Sequence, residues 1–247
     1  MKKPNSKAPI SKAPRSKAPR AVKRSSIAHK PRRSRLSPSE REQMILDAAI
    51  DYFAENGFSA RVRELASSIG VSQSLIFRYF SSKDALIERV YERNFLSRWN
   101  TGWEAILNER SRPLRDRLYA FYRSYLAAID ERRWIRIAML SSLAGHNITR
   151  RYIEGPVSRL ILVISKELRL SYNRKNLDEQ LTSELVWHLH STIIYYLVRK
   201  HIHGSAVSQD PDKFVELIVD NFLGLHENSD GKTTPALRLT TKKAFVS

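Results

Sequence analysis

Between Arg61 and Lys83 the chain gathers side chains suited to holding and reading a polyanion. Arg61, Arg63, Arg78 and Lys83 supply cations, Gln73 an amide, Ser72 and Ser74 hydroxyls, Tyr79 a phenol, and Leu75 and Phe77 apolar surface. An arginine fork can pair with guanine O6 and N7 together, a glutamine amide matches adenine N6 and N7, and an aliphatic side chain fits a thymine methyl. Cations beside such readers hold phosphate without discriminating sequence. The chemistry implied is recognition of duplex DNA. No glycine-rich phosphate loop, nucleophile motif or catalytic carboxylate pair is present in the sequence, so no catalytic residue is assigned and an enzyme is not expected.

The elements that must position these residues are short. Leu65, Ala66 and Ile69 share one face at helical spacing, Gly70-Val71-Ser72 interrupts, and Ile76, Tyr79 and Phe80 resume an apolar face. This predicts helix, tight turn, helix, with Gly70 free to take positive φ and Ser72 capping the second helix. Gln73, Ser74, Leu75 and Arg78 then face away from the core. Upstream, Ser37-Pro38-Ser39-Glu40 is a helix start with a capping box. Ile45, Ala48, Ala49, Tyr52 and Phe53 follow as an apolar stripe, ended by Asn56-Gly57. Downstream, Ser81 is expected to cap a helix running from Lys83 to about Ser97, with Asp84 in its first turn.

These residues resemble the DNA-binding helix-turn-helix of the TetR family of bacterial one-component regulators. The likeness covers roughly residues 37 to 90, with RELA, GVSQ, RYF and SSKDALI as its most specific pieces. It implies that Arg63 and Gln73 read bases or, for Arg63, hold phosphate, that Arg61 faces phosphate, and that Lys83 is a phosphate contact. Arg78 and Tyr79 are expected to serve the backbone. There are departures: Val62 stands where the family usually has threonine, with Ser59 as a substitute cap, and Phe77 where it usually has tyrosine. Two hydroxyl anchors are thereby lost, and Leu75 adds an apolar reader.

Beyond residue 85 the pattern predicts an all-α protein: an N-terminal three-helix DNA-binding domain over 37–85 and an all-helical regulatory domain over 86–226. Helical patterns starting at Pro113 and covering 131–143, 148–169 and 177–203 follow one another, and no strand alternation competes. The 177–203 segment is apolar on two sides, with Leu181, Leu185, Leu189, Ile193 and Tyr196 on one and Trp187, Ile194 and Val198 on the other, so both must be covered. The last helix starts at Asp210-Pro211 and carries Phe214, Leu217, Ile218 and Phe222. By resemblance, these two helices form a homodimer interface through Leu181, Leu185, Leu189, Tyr196, Phe214, Ile218 and Phe222; an ordinary monomer core is the alternative. Trp103, Tyr122, Tyr125, Trp134, Met139 and Trp187 are candidates to line a cavity for a small-molecule effector, although such rings also serve as plain core.

The histidines do not suggest a metal site: His188 and His190, like His201 and His203, are two apart and so point to different helix faces. Neither a metal nor a cofactor is expected. With no cysteine, neither a disulfide framework nor a cysteine-ligated zinc site is possible, and no apolar run approaches the roughly 20 residues of a membrane span. Net charge is +18, of which residues 1–36 hold +13 from seven Lys and six Arg without an acid. SKAP recurs there at Ser6, Ser11 and Ser16, and proline every fifth residue opposes a helix, so a disordered basic tail is expected. Such a tail could add salt-dependent affinity for DNA or merely solubilise. Residues 227–247 are expected to be a loose end.

The function implied is a dimeric regulator, a repressor above all, that binds a palindromic operator and is released by a small molecule. The alternative is an architectural DNA-binding protein driven by its tail. The resemblance implies a bacterial cytoplasmic location, associated with the nucleoid.

Overall fold

A computed structural model describes residues 36–171, 178–227 and 233–235. The basic tail and most of the C-terminal end, on which the expectations of disorder fall, lie outside those residues. The described residues from Ser37 on pack as one unit.

Helix α1 (Pro38–Asn56) starts with the expected capping box: Ser37 Oγ accepts the Glu40 N–H at 3.2 Å and the Glu40 carboxylate accepts the Ser37 N–H at 2.7 Å. Its buried face runs through Ile45, Ala49, Ile50 and Phe53. Helix α2 (Val62–Ser68) and helix α3 (Gln73–Tyr79) are joined by a turn in which the Gly70 N–H bonds the Ser67 carbonyl and the Val71 N–H bonds the Ala66 carbonyl. That pair of hydrogen bonds is a Schellman closure, and Gly70 meets its backbone demand with φ of 67°. Ser59 does not cap α2. Arg61 is the cap residue instead, and its N–H is taken by the Glu64 carboxylate, which also accepts the Tyr52 hydroxyl.

Helix α4 (Lys83–Asn94) is capped by Ser82 rather than Ser81, because Ser82 Oγ is the one that reaches the Ala85 N–H, at 3.0 Å. It stops earlier than periodicity suggests: Phe95 turns inward, and a single 3-10 turn, Leu96–Arg98, follows. Then come α5 (Trp103–Asn108), α6 (Leu114–Ile129), α7 (Arg132–Leu143) and α8 (Ile148–Tyr152). Helix α8 runs into α9 (Ser158–Ser171) through a π turn, Ile153–Val157, that contains Pro156; a proline has no N–H to give, and a widened turn accommodates it. Helix α10 (Glu179–Val198) likewise ends in a π turn, Arg199–His203, stopped by Gly204 at φ of 63°. Helix α11 (Pro211–Leu223), capped by Asp210, completes the bundle.

Helix α7 packs on α1 on one side and on α8 and α10 on others, while α6 pairs with α11 and α9 with α10. An ionic cluster built on the buried Glu167 and Arg117 fixes α6 to α9 and to the chain after α5. Glu167 takes the Arg117 guanidinium at 2.8 Å and two nitrogens of Arg110, at 2.7 and 3.2 Å. The Arg110 hydrogen bonds, with Arg117 behind them, hold the Glu167 carboxyl below its ordinary range against the opposing effect of burial.

The all-α expectation holds with one small exception. Leu225–Glu227 and Thr233–Pro235 form an antiparallel ribbon, with His226 opposite Thr234, where a loose end is expected from residue 227. Adjacent β-branched threonines favour that extended backbone. Among the described residues, no helix is long and apolar enough to cross a membrane.

Candidate DNA-binding face and ligand cavity

Helix α3 is anchored by Ile76, which is fully buried, and by Phe80 just after its end. With 100° between successive residues, positions 73, 74, 77 and 78 fall within one outward sector, and Gln73, Ser74, Phe77 and Arg78 are all exposed there. Leu75 and Tyr79, four positions apart, share the side of the helix next to that sector, half-buried, and Tyr79 packs on the core. Leu75 is therefore a marginal rather than a central reader. Phe77, 37% exposed, takes the apolar place on the face.

The hydroxyls are partly committed. Ser72 Oγ accepts the Leu75 N–H at 3.2 Å and lies 2.9 Å from Ser74 Oγ. Val62, in the threonine position, is buried, so its methyls hold α2 to the core. Arg61 and Arg63 are exposed at the start of α2. Lys83 is half-buried and its ammonium donates to the Phe58 carbonyl at 2.5 Å, tying the turn after α1 to the start of α4; two of its three donors remain for other partners.

On the other side of α7 is a cavity of about 480 Å³. Of the six aromatic and sulfur candidates, Tyr125, Trp134, Met139 and Trp187 line it. Trp103 and Tyr122 do not: Trp103 is buried edge-on to Trp99 and Phe121 with its indole N–H on Ser124 Oγ at 2.9 Å, and Tyr122 stacks obliquely on Phe121, its phenol pushed up by complete burial. Both are core. Sequence reasoning missed Phe95, Tyr152, His190 and Tyr195, which also line the cavity. One signal was available: His190 falls on the Trp187, Ile194 and Val198 side of α10, the second apolar side of that helix.

The outer faces of α10 and α11 divide the predicted interface set. Leu189 and Tyr196 are buried within the protomer, where Tyr196 stacks on Phe214 at 4.5 Å and donates to the Ser208 carbonyl. Leu185, Phe214, Ile218 and Phe222 are half-buried, and Leu181 is exposed. Tyr195 and Leu217, outside the predicted set, are 59% and 67% exposed.

The family model described as bacterial regulatory proteins, tetR family, matches residues 45–90, which run from within α1 through the turn into α4. The helix-turn-helix domain is a TetR-family domain. The HTH-type transcriptional repressor KstR2 of Mycolicibacterium smegmatis is 32% identical over 97 residues, covering 38% of this chain and 46% of that protein. The HTH-type transcriptional regulator LuxR of Vibrio harveyi is 35% identical over 82 residues, covering 29% and 38%. The chain thus spans less than half the length of these curated relatives. Over the whole bundle the TetR-like fold is shared with solved structures: a TetR-family transcriptional regulator from Bordetella parapertussis (TM-score 0.59, 19% identity, 74% of this chain and 94% of that one). A TetR-like transcriptional regulator from Rhodococcus sp. RHA1 gives a TM-score of 0.57 at 20% identity, over 75% and 96%.

Proposed function

We propose that the protein is a dimeric, sequence-specific transcriptional regulator, a repressor by its closest mode of action, that leaves a palindromic operator when a small molecule occupies the cavity beside α7. The observation that carries this reading is the exposed Gln73, Ser74, Phe77 and Arg78 face of α3 in a TetR-family domain. Gln73 discriminates adenine, Arg78 holds phosphate, and Phe77 offers a flat apolar surface to a thymine methyl or sugar. Arg61 and Arg63 at the start of α2 add phosphate contacts or, for Arg63, a base contact; Lys83 lends its remaining donors.

Dimerisation follows from what α10 and α11 leave open. Leu181, Tyr195 and Leu217 are exposed apolar groups that a second copy would cover, with Leu185, Ile218 and Phe222 at the margin. Two α3 helices one DNA turn apart would then read two half-sites. The effector acts only in so far as it prefers the arrangement that does not fit DNA. Selection from a random duplex pool tests the core of the proposal: enriched inverted repeats with half-sites about one turn apart are expected, and an unstructured pool after selection overturns it.

A further inference from the structure

The composition of the cavity wall goes further than the presence of a cavity. Its described lining contains no Asp, Glu, Lys or Arg. Three of its hydroxyls are already engaged on backbone: Ser142 Oγ and Thr149 Oγ1 both donate to the Ala138 carbonyl, at 3.0 and 2.9 Å, and Ser191 Oγ donates to the His188 carbonyl. The Trp134 indole N–H is buried without a hydrogen-bond partner, while the Tyr125 and Tyr152 hydroxyls interact with each other. His190 stands against Tyr125 and Trp187, with ring centroids at 5.1 and 5.7 Å, and makes no hydrogen bond to a described residue. The open end is rimmed by Met139, Leu143 and Ile153, all exposed, Leu143 at 83%.

We infer that this cavity takes an uncharged, mainly apolar small molecule carrying a hydrogen-bonding oxygen, with His190 as the side chain that meets that oxygen. This rests on the reading of the cavity as the effector site and names the class of molecule that fits it. A carboxylate, phosphate or ammonium entering here would lose its hydration with no counter-charge to meet it. An alcohol, ketone or ester loses less and meets the His190 imidazole. Burial lowers the His190 pKa to about 4, so near neutrality the imidazole is uncharged and offers one donor and one acceptor. The apolar rim lets the hydrocarbon part pass outward, and a volume near 480 Å³ lies within the range of pockets that hold small organic ligands, roughly 300–1,000 Å³.

A matched series of probes decides the class: 1-decanol, 2-decanone, decanoate and decylammonium, each below its aggregation concentration near neutral pH. Binding is read by calorimetry and by the emission of Trp134 and Trp187 on the full-length protein. The two neutral probes should bind at least about ten-fold more tightly than the two ions. His190→Leu, close in volume, should weaken the neutral probes by about ten-fold with an unchanged far-ultraviolet spectrum. Ser142→Arg, which places a cation in the wall, should move the preference toward decanoate. Equal binding of ions and neutrals, or binding of none of the four, overturns the inference. Retention of selected DNA is measured separately in the same samples. Neutral probes that bind but leave DNA retention unchanged sink the effector reading and leave the ligand class standing.

Discussion

The Arg136 guanidinium donates from Nε to the Ala54 carbonyl and from Nη2 to the Glu55 carbonyl at 3.2 Å, so a side chain of α7 closes the C-terminal end of α1. The carbonyls at that end have no helical partners and carry the negative pole of the helix. Arg132 pairs with Glu55 and Arg133 with Asp51 beside it. The same helix gives Trp134, Ala138 and Met139 to the cavity wall. Arg136→Ala should therefore cost about 1–2 kcal/mol, read as a lower urea midpoint. Arg136→Lys should recover only part, since an ammonium cannot reach both carbonyls as the fork does. If α7 carries the cavity's state to α1, Arg136→Ala should also reduce the change in DNA affinity caused by a bound neutral probe. An undiminished change with intact folding would place the connection elsewhere.

At Gly70 the constraint is the backbone and not the room around it. Its φ is 67°, and a Cβ built there meets nothing within 4 Å. Gly70→Ala should cost about 1–2 kcal/mol through left-handed strain alone. Gly70→Asn, whose side chain tolerates that region, should cost visibly less. Thermal melts of the pair check this; equal losses would point to a steric cause instead.

Glu167 and its two arginines make an asymmetric cluster. Arg117 is 3% exposed at its side chain and Arg110 is largely in solvent. Removing the shared carboxylate by Glu167→Gln leaves Arg117 buried beside a neutral amide, and a loss of about 3 kcal/mol is expected. Arg110→Ala should do much less, because water and Arg117 replace what it supplied. The folded-state pKa of Glu167 lies below its unfolded value, near 4.5. Its contribution is thus complete above that value and is lost as pH falls through the folded pKa. Urea midpoints measured downward from about pH 5 should fall less steeply in Glu167→Gln than in the parent chain. Parallel curves would remove Glu167 from the acid response.

Where a feature was legible in the sequence, one element alone specified it. The α1 capping box, the Gly70 turn and the Asp210-Pro211 start of α11 each depend on residues a few positions apart, and the structure has them. What depended on packing between distant helices was not legible. Trp103 and Trp134 look alike in sequence; only the placement of α7, α8 and α10 puts the second at the cavity and the first in the core. Leu189 and Tyr196 lie on the same apolar stripe as Leu181, but α11 and its preceding loop cover one end of that stripe and leave the other open. Periodicity finds a stripe and cannot say which partner hides it. The Ser81 and Ser82 exchange is smaller in kind: adjacent serines compete for one cap, and backbone geometry decides.

On the reading face, Gln73 and Arg78 should separate by the kind of loss they cause. Gln73→Ala removes a group proposed to meet base edges, so affinity for the selected operator should fall by about 1–3 kcal/mol, with preference relaxed at one base pair per half-site. Arg78→Ala removes a charge proposed to meet the backbone. Its loss should then be nearly uniform across sequences, and the slope of log affinity against log salt should become shallower by about 0.9 for each phosphate contact removed. Deleting residues 1–36, with thirteen positive charges and no acid, should flatten that slope further while leaving the sequence preference in place. Binding by competition at two salt concentrations reads all three. A tail deletion that abolished preference along with affinity would favour an architectural protein, because a reader built from α3 keeps its discrimination when only non-specific charge is taken away.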